Sequence, residues 1–398
     1  MLIYTQIAFK MPILGLFYTL NMMKIYLVGG AVRDQLLGHH PKDNDWVVVG
    51  SSQEGMLKLG YRPIPSNAKN FPVFLHPETK EEHALARCEK RIGPGHAGFE
   101  FDVSSSITLN DDLRRRDLTI NAMARPLEDG ALGELIDPYN GKADLENHIL
   151  RHVSAAFVED PLRLIRTARF AASLGFQVAP ETMILMKQMV VEGKISELSM
   201  EQIWRELERA LMGSHPKNFF DVLKKCGADG ILFPLIKIPG AGINALQQSA
   251  AYKDSAYVRF AVLMHDLTQA DVINFCKQFN VSNQYRNLAL LVNQNLAKFR
   301  RVPELDAEGL LDLLVNMGAF YSKERFNECL HIFELCTEEP TYVAQVRNAF
   351  QAAKSINTKE FASRYVGHEI TSQIKAARLE AIQQCLNSVT SSATYYVS

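Results

Sequence analysis

The spacing of apolar residues changes once along this chain of 398 residues, close to residue 155. Before that point, short apolar runs such as Lys24–Val28 and Asp45–Val49 are separated by turns that contain Gly, Pro and Asn. This pattern is typical of β-strands. After it, apolar residues recur at helical spacing with only short breaks. The sequence therefore predicts an α+β fold, with a mixed sheet and helices at the N-terminus followed by helices alone.

Composition restricts the class of protein only broadly. The chain is 47% apolar and 22% charged, as in an ordinary globular protein, and its formal net charge of -1 means that any nucleic-acid surface must be local. Its six cysteines form no CxxC pair, which indicates reduced thiols and a cytoplasmic protein. No apolar run reaches the length of a membrane span, so no membrane association is expected.

Five segments are expected from the changes in pattern along the chain. They are a start-site extension at residues 1–22, an α/β head at 23–150, a helical neck at 151–235, a helical body and tail at 236–389, and a frayed end at 390–398. The first segment is apolar like a secretory signal but lacks a small-residue cleavage site, so Met22 or Met23 is the expected start.

Three local predictions concern the head. Strands are expected at residues 71–75 and 83–87, and the Gly-rich segment 91–106 is expected to be a mobile loop. A helix capped by Asn110 is expected to carry two aspartates in its first turn and then the basic run at residues 114–116.

A pair of aspartates opens the second strand. Asp43 and Asp45 occupy alternate positions, so both carboxylates are expected on one face while Trp46 and Val48 point to the other. Two carboxylates so close repel each other and need a cation, and hard oxygen ligands suit Mg²⁺. An isolated D-x-D is more often two solvated loop aspartates. Glu82 is a possible third carboxylate.

The aspartate pair gains significance from what precedes it. Gly29 and Gly30 separate the first strand from a helix, with Arg33 one turn further on. Such a turn exposes backbone N–H groups that can bind phosphate. The order strand, Gly-Gly, helix and then D-x-D on the next strand is rare, and it predicts a nucleotide site.

Three quoted segments carry a resemblance to a known family. They are LVGGAVRDQLLG…KDNDWVVVG, RRRDLTINAMA at residues 114–124 and EDPLRLIRTARFA at residues 159–171. The first resembles the head of DNA polymerase β-like nucleotidyltransferases. Together, over residues 23–235, they resemble bacterial class II CCA-adding tRNA nucleotidyltransferases of the poly(A) polymerase superfamily. The resemblance implies Mg²⁺-dependent addition of C, C and A to tRNA from CTP and ATP, without a nucleic-acid template.

The resemblance also implies roles for two neighbouring residues in the second motif. Arg116 is expected to contact the nucleotide, with Asp117 as its supporting partner. Guanidinium groups bind phosphate oxygens in pairs, which suits a triphosphate. Without the other motifs, a solvated basic helix face would be the better interpretation.

The third motif predicts how bases are selected. Arg163, Arg166 and Arg169 recur every third residue on a helix that starts near Asp160 and sweep an arc of about 120°. Leu162, Ile165 and Phe170 are expected to pack elsewhere, and Glu159 is expected to support Arg163 four residues on.

Cytosine and adenine share an amine donor beside a ring-nitrogen acceptor. Asp160 can accept from the amine while Arg163 donates to the ring nitrogen, which favours C and A over U and G. By resemblance, these two residues act as the template, and Arg166 and Arg169 also line the nucleotide site.

The same motifs are compatible with several functions. A bacterial poly(A) polymerase shares them, but it usually has a basic stretch where this chain has RIGP at residues 91–94. An enzyme that adds only CC or only A, an inactive RNA-binding scaffold and a small-molecule nucleotidyltransferase also fit the sequence. The helical body is expected to bind the acceptor stem and elbow of tRNA through scattered basic residues.

The C-terminal region departs from some members of the family. Several bacterial relatives carry an HD phosphohydrolase domain, and His265-Asp266 stands where its central dipeptide would be. Further His and Asp ligands at recognisable spacing are missing from the sequence. We therefore expect a degenerate HD-like region without phosphatase or phosphodiesterase activity.

Overall fold

The computed structural model describes residues 23–64, 73–91, 93, 99–252 and 254–394. The predictions for residues 1–22, for positions 71 and 72 and for the last four residues lie outside this range. The described strands are β1 Lys24–Val28, β2 Asp45–Val49, β3 Arg62–Ile64, β4 Val73–Leu75, β5 Glu82–Leu85, β6 Cys88–Arg91, β7 Phe99–Asp102, β8 Ala124–Glu128, β9 Ala131–Leu132, β10 Ile149–Leu150 and β11 Gln177–Val178.

Helices accompany these strands and then replace them. Those of the N-terminal half are α1 Gly30–Leu36, α2 Gln53–Lys58, α3 Leu109–Arg114, α4 Gly141–Glu146, α5 Leu162–Leu174, α6 Pro180–Val191 and α7 Met200–Leu211. Those that follow are α8 Lys217–Cys226, α9 Asp229–Leu232, α10 Ala241–Ser249, α11 Ala256–Leu263, α12 Gln269–Gln278, α13 Asn283–Phe299, α14 Ala307–Asn316, α15 Lys323–Thr337, α16 Pro340–Lys354, α17 Thr358–Arg364 and α18 His368–Thr394. The predicted change from mixed to helical structure is confirmed.

A seven-stranded mixed sheet forms the centre of the N-terminal half, in the order β3-β4-β5-β2-β1-β8-β9. Strands β2 and β5 run parallel, whereas β1 is antiparallel to both β2 and β8. Neighbouring residues of β2 lie on opposite faces of the sheet. Val47 packs in one cluster with Leu113 of α3, and Val48 packs in another with Met56 of α2. Burial on both faces explains why β1 and β2 are apolar almost throughout.

Part of the segment expected to be a mobile loop is strand, since it contains the end of β6 and all of β7. Strands β6 and β7 pair antiparallel, with Cys88 opposite Asp102 and Arg91 opposite Phe99. The loop prediction is wrong for these strand residues, because pairing between two strands is not visible in local composition. Residues 92 and 94–98 lie outside the described residues.

Helix α3 begins earlier than expected. Thr108, not Asn110, is its N-cap: the Thr108 hydroxyl accepts from the Asp111 N–H at 3.2 Å, and the Asp111 carboxylate accepts from the Thr108 N–H at 3.0 Å. This reciprocal pair is a capping box. The helix ends at Arg114, so most of the predicted basic run lies beyond it.

Two further corrections concern the sheet. Asp43 lies in a bend that precedes β2, so strand alternation applies to Asp45 but not to Asp43. Strand β8, beside β1, was not predicted from the sequence; it contains Pro126, which pairs with Tyr26. Proline lowers strand propensity, and here the neighbouring strands on both sides compensate for it.

The described residues divide into two compact units. One comprises residues 23–206 and 221–231, and the other 207–220 and 232–394. The predicted boundaries near residues 150 and 235 stay predictions. In the second unit, Phe233 packs against Phe275 and Phe279, at ring-centroid distances of 6.3 and 5.7 Å. Helix α18 continues to Thr394, into the segment that was expected to be frayed.

No helix in the described part of the chain is both long and apolar enough to span a bilayer.

Candidate active site

The turn after β1 requires glycine at one position. Gly29 has φ of 67° and ψ of -128°, a conformation that side-chain-bearing residues rarely adopt. A Cβ atom there would lie 2.7 Å from Nη1 of Arg116. The turn therefore combines a special backbone conformation with close approach of a guanidinium group.

A cleft of 670 Å³ opens beside this turn. Ten of the twelve predicted site residues line it: Gly29, Gly30, Arg33, Asp45, Arg116, Asp117, Asp160, Arg163, Arg166 and Arg169. Asp43 and Glu159 are not among its described lining residues. The motifs are distant in sequence, and the fold brings them to one concave surface of the first unit.

Asp45 is the carboxylate at the edge of this cleft. Asp45 is exposed to solvent at the start of β2, but the protein around it still desolvates its carboxyl and raises its pKa. The positive charge of Arg116 opposes this rise, and the negative charge of Asp43 adds to it. Asp43 is thus close enough to repel Asp45, although it lies outside the strand. The pair has the electrostatic character expected of cation ligands.

Glu82 lies directly beside Asp45, since the two residues are partners in the parallel pairing of β2 and β5. Glu82 also lines the cleft. Even so, among the residues that the structure describes, no three His, Cys, Asp or Glu side chains lie close enough to bind one metal ion. Glu82 therefore has the predicted position, but not a three-ligand arrangement.

A buried carboxylate holds Arg116 in place. Asp112 of α3 is fully buried and accepts from Nη2 of Arg116 at 3.0 Å and from Nη2 of Arg115 at 2.6 Å. Burial alone would raise the pKa of Asp112, but the two guanidinium groups lower it to about 2. Arg116 also donates to the carbonyl of Asn121 at 3.3 Å. These contacts hold the guanidinium group of Arg116 at the wall of the cleft.

Asp117 links the second motif to the third. Its buried carboxylate accepts from the Leu118 N–H at 2.8 Å, from the Asn121 amide at 3.0 Å and from Nε of Arg166 at 2.8 Å. Burial would raise the pKa of Asp117, but Arg166 and these hydrogen bonds hold it well below its usual value. Asn121 in turn accepts from Nη1 of Arg33 at 2.7 Å, so one network reaches the first motif as well.

Phe170 is a site residue that the sequence interpretation placed elsewhere. Three guanidinium carbons surround its ring, at 5.3 Å for Arg33, 5.7 Å for Arg166 and 3.9 Å for Arg169. Attraction between cations and the ring face partly offsets the repulsion among the three arginines. The available signal was its position four residues after Arg166 on α5, because residues four apart share one face of a helix.

Asp160 and Arg163 both line the cleft, but they bind the protein's own backbone here. An Asp160 oxygen accepts from the Leu162 N–H at 2.9 Å, just before α5. Arg163 is buried and donates to the carbonyls of Ala156 at 3.0 Å and Arg115 at 2.7 Å. The predicted support from Glu159 and the role of Asp160 and Arg163 as template stay predictions.

Glu89 is a second residue that sequence reasoning missed. It projects from β6 and accepts from Arg115 at 2.7 Å and Arg87 at 3.0 Å, with Arg163 at 3.8 Å. Burial would raise the pKa of Glu89, but the surrounding arginines lower it. Local sequence does not mark it, because two of its three partners, Arg115 and Arg163, lie in distant segments.

In the second unit, His265 is buried, and its Nδ1 donates to the carbonyl of Val262 at 2.8 Å. Burial lowers the pKa of His265. Asn293 donates to three carbonyls of the same turn, those of Met264, His265 and Leu267. In this structure the His265-Asp266 segment is thus held as a packed turn, and the expected lack of phosphatase activity stays a prediction.

Comparison with known families defines the class of protein. Residues 25–151 match the poly A polymerase head domain, and residues 175–238 match a probable RNA- and SrmB-binding site of polymerase A. A mixed-sheet head with this cleft, followed by helices, is the architecture of nucleotidyltransferases of the polymerase head type.

Proteins of similar sequence identify the family within this class. A CCA-adding enzyme of Coxiella burnetii (strain RSA 331 / Henzerling II) is 42% identical over 93% of this chain and 97% of its own length. A multifunctional CCA protein of Aliivibrio salmonicida (strain LFI1238) is also 42% identical, over 92% of this chain and 99% of that protein. The chain belongs to the CCA-adding enzyme family of nucleotidyltransferases, which confirms the resemblance seen in the sequence.

The fold agrees with this assignment. The structure of the Thermotoga maritima CCA-adding enzyme in complex with tRNA superposes with a TM-score of 0.67 at 20% identity, covering 94% of this chain and 93% of that one. The predicted fold class is thereby confirmed.

Proposed function

We propose that this chain adds C, C and A in turn to the 3′ end of tRNA, using CTP and ATP and no nucleic-acid template, and releases pyrophosphate. The observation that carries the proposal is the cleft in which Asp45, the Gly29 turn and the arginines of two motifs face one space. Relatives sharing 42% identity over almost the whole chain are CCA-adding enzymes. Solved relatives of the same fold include complexes with tRNA, ATP and CTP.

Asp43 and Asp45 are the proposed ligands of Mg²⁺. The donor set fits this ion, because Mg²⁺ commonly takes one or two carboxylates and completes its shell with water and substrate phosphates. When bound, the ion supplies charge neutralisation for the triphosphate and lowers the pKa of the attacking hydroxyl. Mutual repulsion of Asp43 and Asp45 favours a cation at this point.

The arginines are proposed to bind and orient the nucleotide. Arg116 lies against the Gly29 turn, and Arg33, Arg166 and Arg169 surround Phe170, which also lines the cleft. Guanidinium groups held by buried carboxylates lose little additional side-chain freedom on binding phosphates. This arrangement suits a polyanion that must be held still for attack at its α-phosphate.

Base selection is proposed to depend on Asp160 and Arg163. An aspartate and an arginine offer the acceptor and donor that cytosine and adenine need and that uracil and guanine lack. Since Arg163 donates to two carbonyls in this structure, reading a base requires it to exchange at least one of those bonds for the ring nitrogen.

The helical segments are proposed to bind the tRNA acceptor stem and elbow. Affinity that depends on phosphate contacts falls steeply as salt rises, so the salt dependence of tRNA binding measures this contribution. The proposed location is the cytoplasm, in keeping with six free cysteines.

The experiment that tests the function is sequencing of products after incubation of tRNA lacking its CCA end with Mg²⁺ and all four nucleoside triphosphates. Addition of CCA and nothing further is expected. Addition of only CC or only A would identify a split-activity enzyme, and no addition at all would identify an inactive scaffold. With ATP alone and tRNA ending in CC, one A is expected, whereas a long tail would identify a poly(A) polymerase.

A further inference from the structure

The two residues that flank Asp45 in sequence are both bound to one carboxylate. Nδ2 of Asn44 donates to Oε1 of Glu81 at 2.7 Å, and Nε1 of Trp46 donates to Oε2 of Glu81 at 3.1 Å. Each oxygen of Glu81 therefore holds one neighbour of Asp45. Among the described residues, Trp46 lines the cleft, whereas Glu81 and Asn44 do not, so Glu81 lies behind the cleft wall.

Glu81 is itself held by several contacts. Its Oε2 also accepts from the Thr79 hydroxyl at 3.1 Å, and its backbone carbonyl accepts from the His76 N–H at 3.0 Å and from Nδ1 of His83 at 3.1 Å. The His83 ring stacks on Trp46, with centroids 5.7 Å apart and planes 12° from parallel. Glu81 is thus a fixed point for the start of β2.

The segment around Asp45 needs such a fixed point. Asp43 lies in a bend and is exposed, so no strand pairing holds it, and its charge repels Asp45. Asn44 is the single residue between them. A hydrogen bond from Asn44 to a carboxylate anchored in the neighbouring segment limits how far the two aspartates can move apart.

We propose that Glu81 is a positioning residue for Asp43 and Asp45, the proposed ligands of the divalent cation. It holds the two carboxylates at the separation that a metal ion requires. This inference rests on the proposed function, because it assumes that the pair binds the ion. Glu81 does not touch the nucleotide or the ion. It acts through Asn44 and Trp46.

The test replaces Glu81 by glutamine, which leaves one amide NH₂ facing a donor of Asn44 or Trp46. Binding of Mn²⁺ to the full-length enzyme is measured by electron paramagnetic resonance in the presence of CTP and the absence of tRNA, so that no turnover occurs. Glu81→Gln is expected to raise the Mn²⁺ dissociation constant about tenfold, within the range typical for outer partners of metal ligands. The Mg²⁺ concentration for half-maximal incorporation is expected to rise by a similar factor.

Saturating Mg²⁺ is expected to restore kcat, with the KM for CTP within about twofold of the wild type, because the nucleotide contacts are intact. The matched control is Glu78→Gln, an exposed glutamate in the same connection between β4 and β5. It is expected to leave Mn²⁺ binding unchanged.

If Glu81→Gln does not fold, Trp46→Phe removes one donor to Glu81 while leaving an aromatic ring beside His83, and the same measurements are made on that variant. If Asp45→Asn abolishes Mn²⁺ binding but a folded variant at Glu81 or Trp46 binds Mn²⁺ as the wild type does, the positioning role is overturned. The proposed function is then still intact. Unchanged Mn²⁺ binding and incorporation in Asp45→Asn would overturn the proposed function itself.

Discussion

Arg166 approaches a single oxygen of Asp117 with both Nε and Nη2, each at 2.8 Å. The carboxylate is buried, and the arginine is about one-third exposed at the edge of the cleft. This pair joins the second motif, at residues 114–124, to α5, the first long helix of the predicted neck. It also raises the pKa of Arg166, so the cation is permanent at any working pH.

Replacing Asp117 by asparagine is expected to release Arg166 and to leave its charge without its main partner. Removing one member of a buried ion pair costs about 3 kcal/mol or more, and partial exposure of Arg166 reduces this to about 2 kcal/mol. Denaturant unfolding measures the loss, and the KM for both CTP and ATP is expected to rise. Asp117→Asn with unaltered stability and KM would mean that the pair is not coupled to the site.

Gly29→Ala is expected to lower kcat/KM for CTP and ATP at least tenfold. The new Cβ would lie 2.7 Å from Nη1 of Arg116, and the backbone conformation disfavours alanine by about 1–3 kcal/mol. The matched control is Gly38→Ala, which also has positive φ but no atom within 4 Å of the new Cβ. It is expected to cost about 1 kcal/mol of stability and no activity. Equal losses of activity in both variants would contradict the proposed contact.

Phe170→Leu is expected to raise the KM for nucleotides about fivefold. Removing the ring takes away a cation–π contribution of about 1 kcal/mol, which corresponds to about a fivefold change in affinity, and loosens three arginines. Phe176→Leu makes the same change at a buried position against His148. Steady-state kinetics of both variants separate loss of volume from loss of the ring beneath the guanidinium groups.

Asp45→Asn, and likewise Asp43→Asn, is expected to lower incorporation at least about a hundredfold. The bound metal ion lowers the activation barrier by several kcal/mol, and each 1.4 kcal/mol is about a factor of ten in rate. Affinity for tRNA, measured by filter binding, is expected to stay the same. Asp129→Asn serves as the control, since Asp129 is exposed in the turn after β8 and its positive φ suits asparagine.

Stability is expected to fall as the solution is acidified below pH 6.5, because of His83. Burial lowers the pKa of His83 to about 4, whereas the unfolded chain takes up the proton near 6.5. Between pH 6.5 and pH 4 the unfolded chain binds a proton at this histidine that the folded protein does not. The free energy of unfolding therefore decreases as the pH is lowered through this range. Between pH 6.5 and 5.0 the contribution is about 2 kcal/mol.

His83→Asn is expected to flatten this dependence while keeping a donor near the Glu81 carbonyl. Urea unfolding of both proteins at pH 7.5, 6.5 and 5.0 measures the difference in slope. Identical slopes would show that His83 is protonated as readily in the folded protein as in the unfolded chain.

Much of the site was accessible from the sequence, since its chemistry depends on short motifs. The Gly-Gly turn, the D-x-D pair and the arginines at every third position each carry a local pattern, and all but Asp43 and Glu159 line the cleft. Glu89, Asn121 and Phe170 were not recognised, because each depends on at least one partner in a distant segment: Arg115 for Glu89, and Arg33 for Asn121 and Phe170. The same reason explains the ribbon of β6 and β7.

The sequence by itself determined where strands end and helices begin to predominate, the family, and the residues with suitable chemistry, because periodicity and motif spacing are local properties. Only the tertiary structure decided that Asp117 pairs with Arg166, that Phe170 lies among three arginines and that Glu81 holds both neighbours of Asp45. The hydrogen bonds among these contacts join residues 35 to 49 positions apart, and they depend on which strands pair and which faces are buried. No pattern within a single segment encodes that choice.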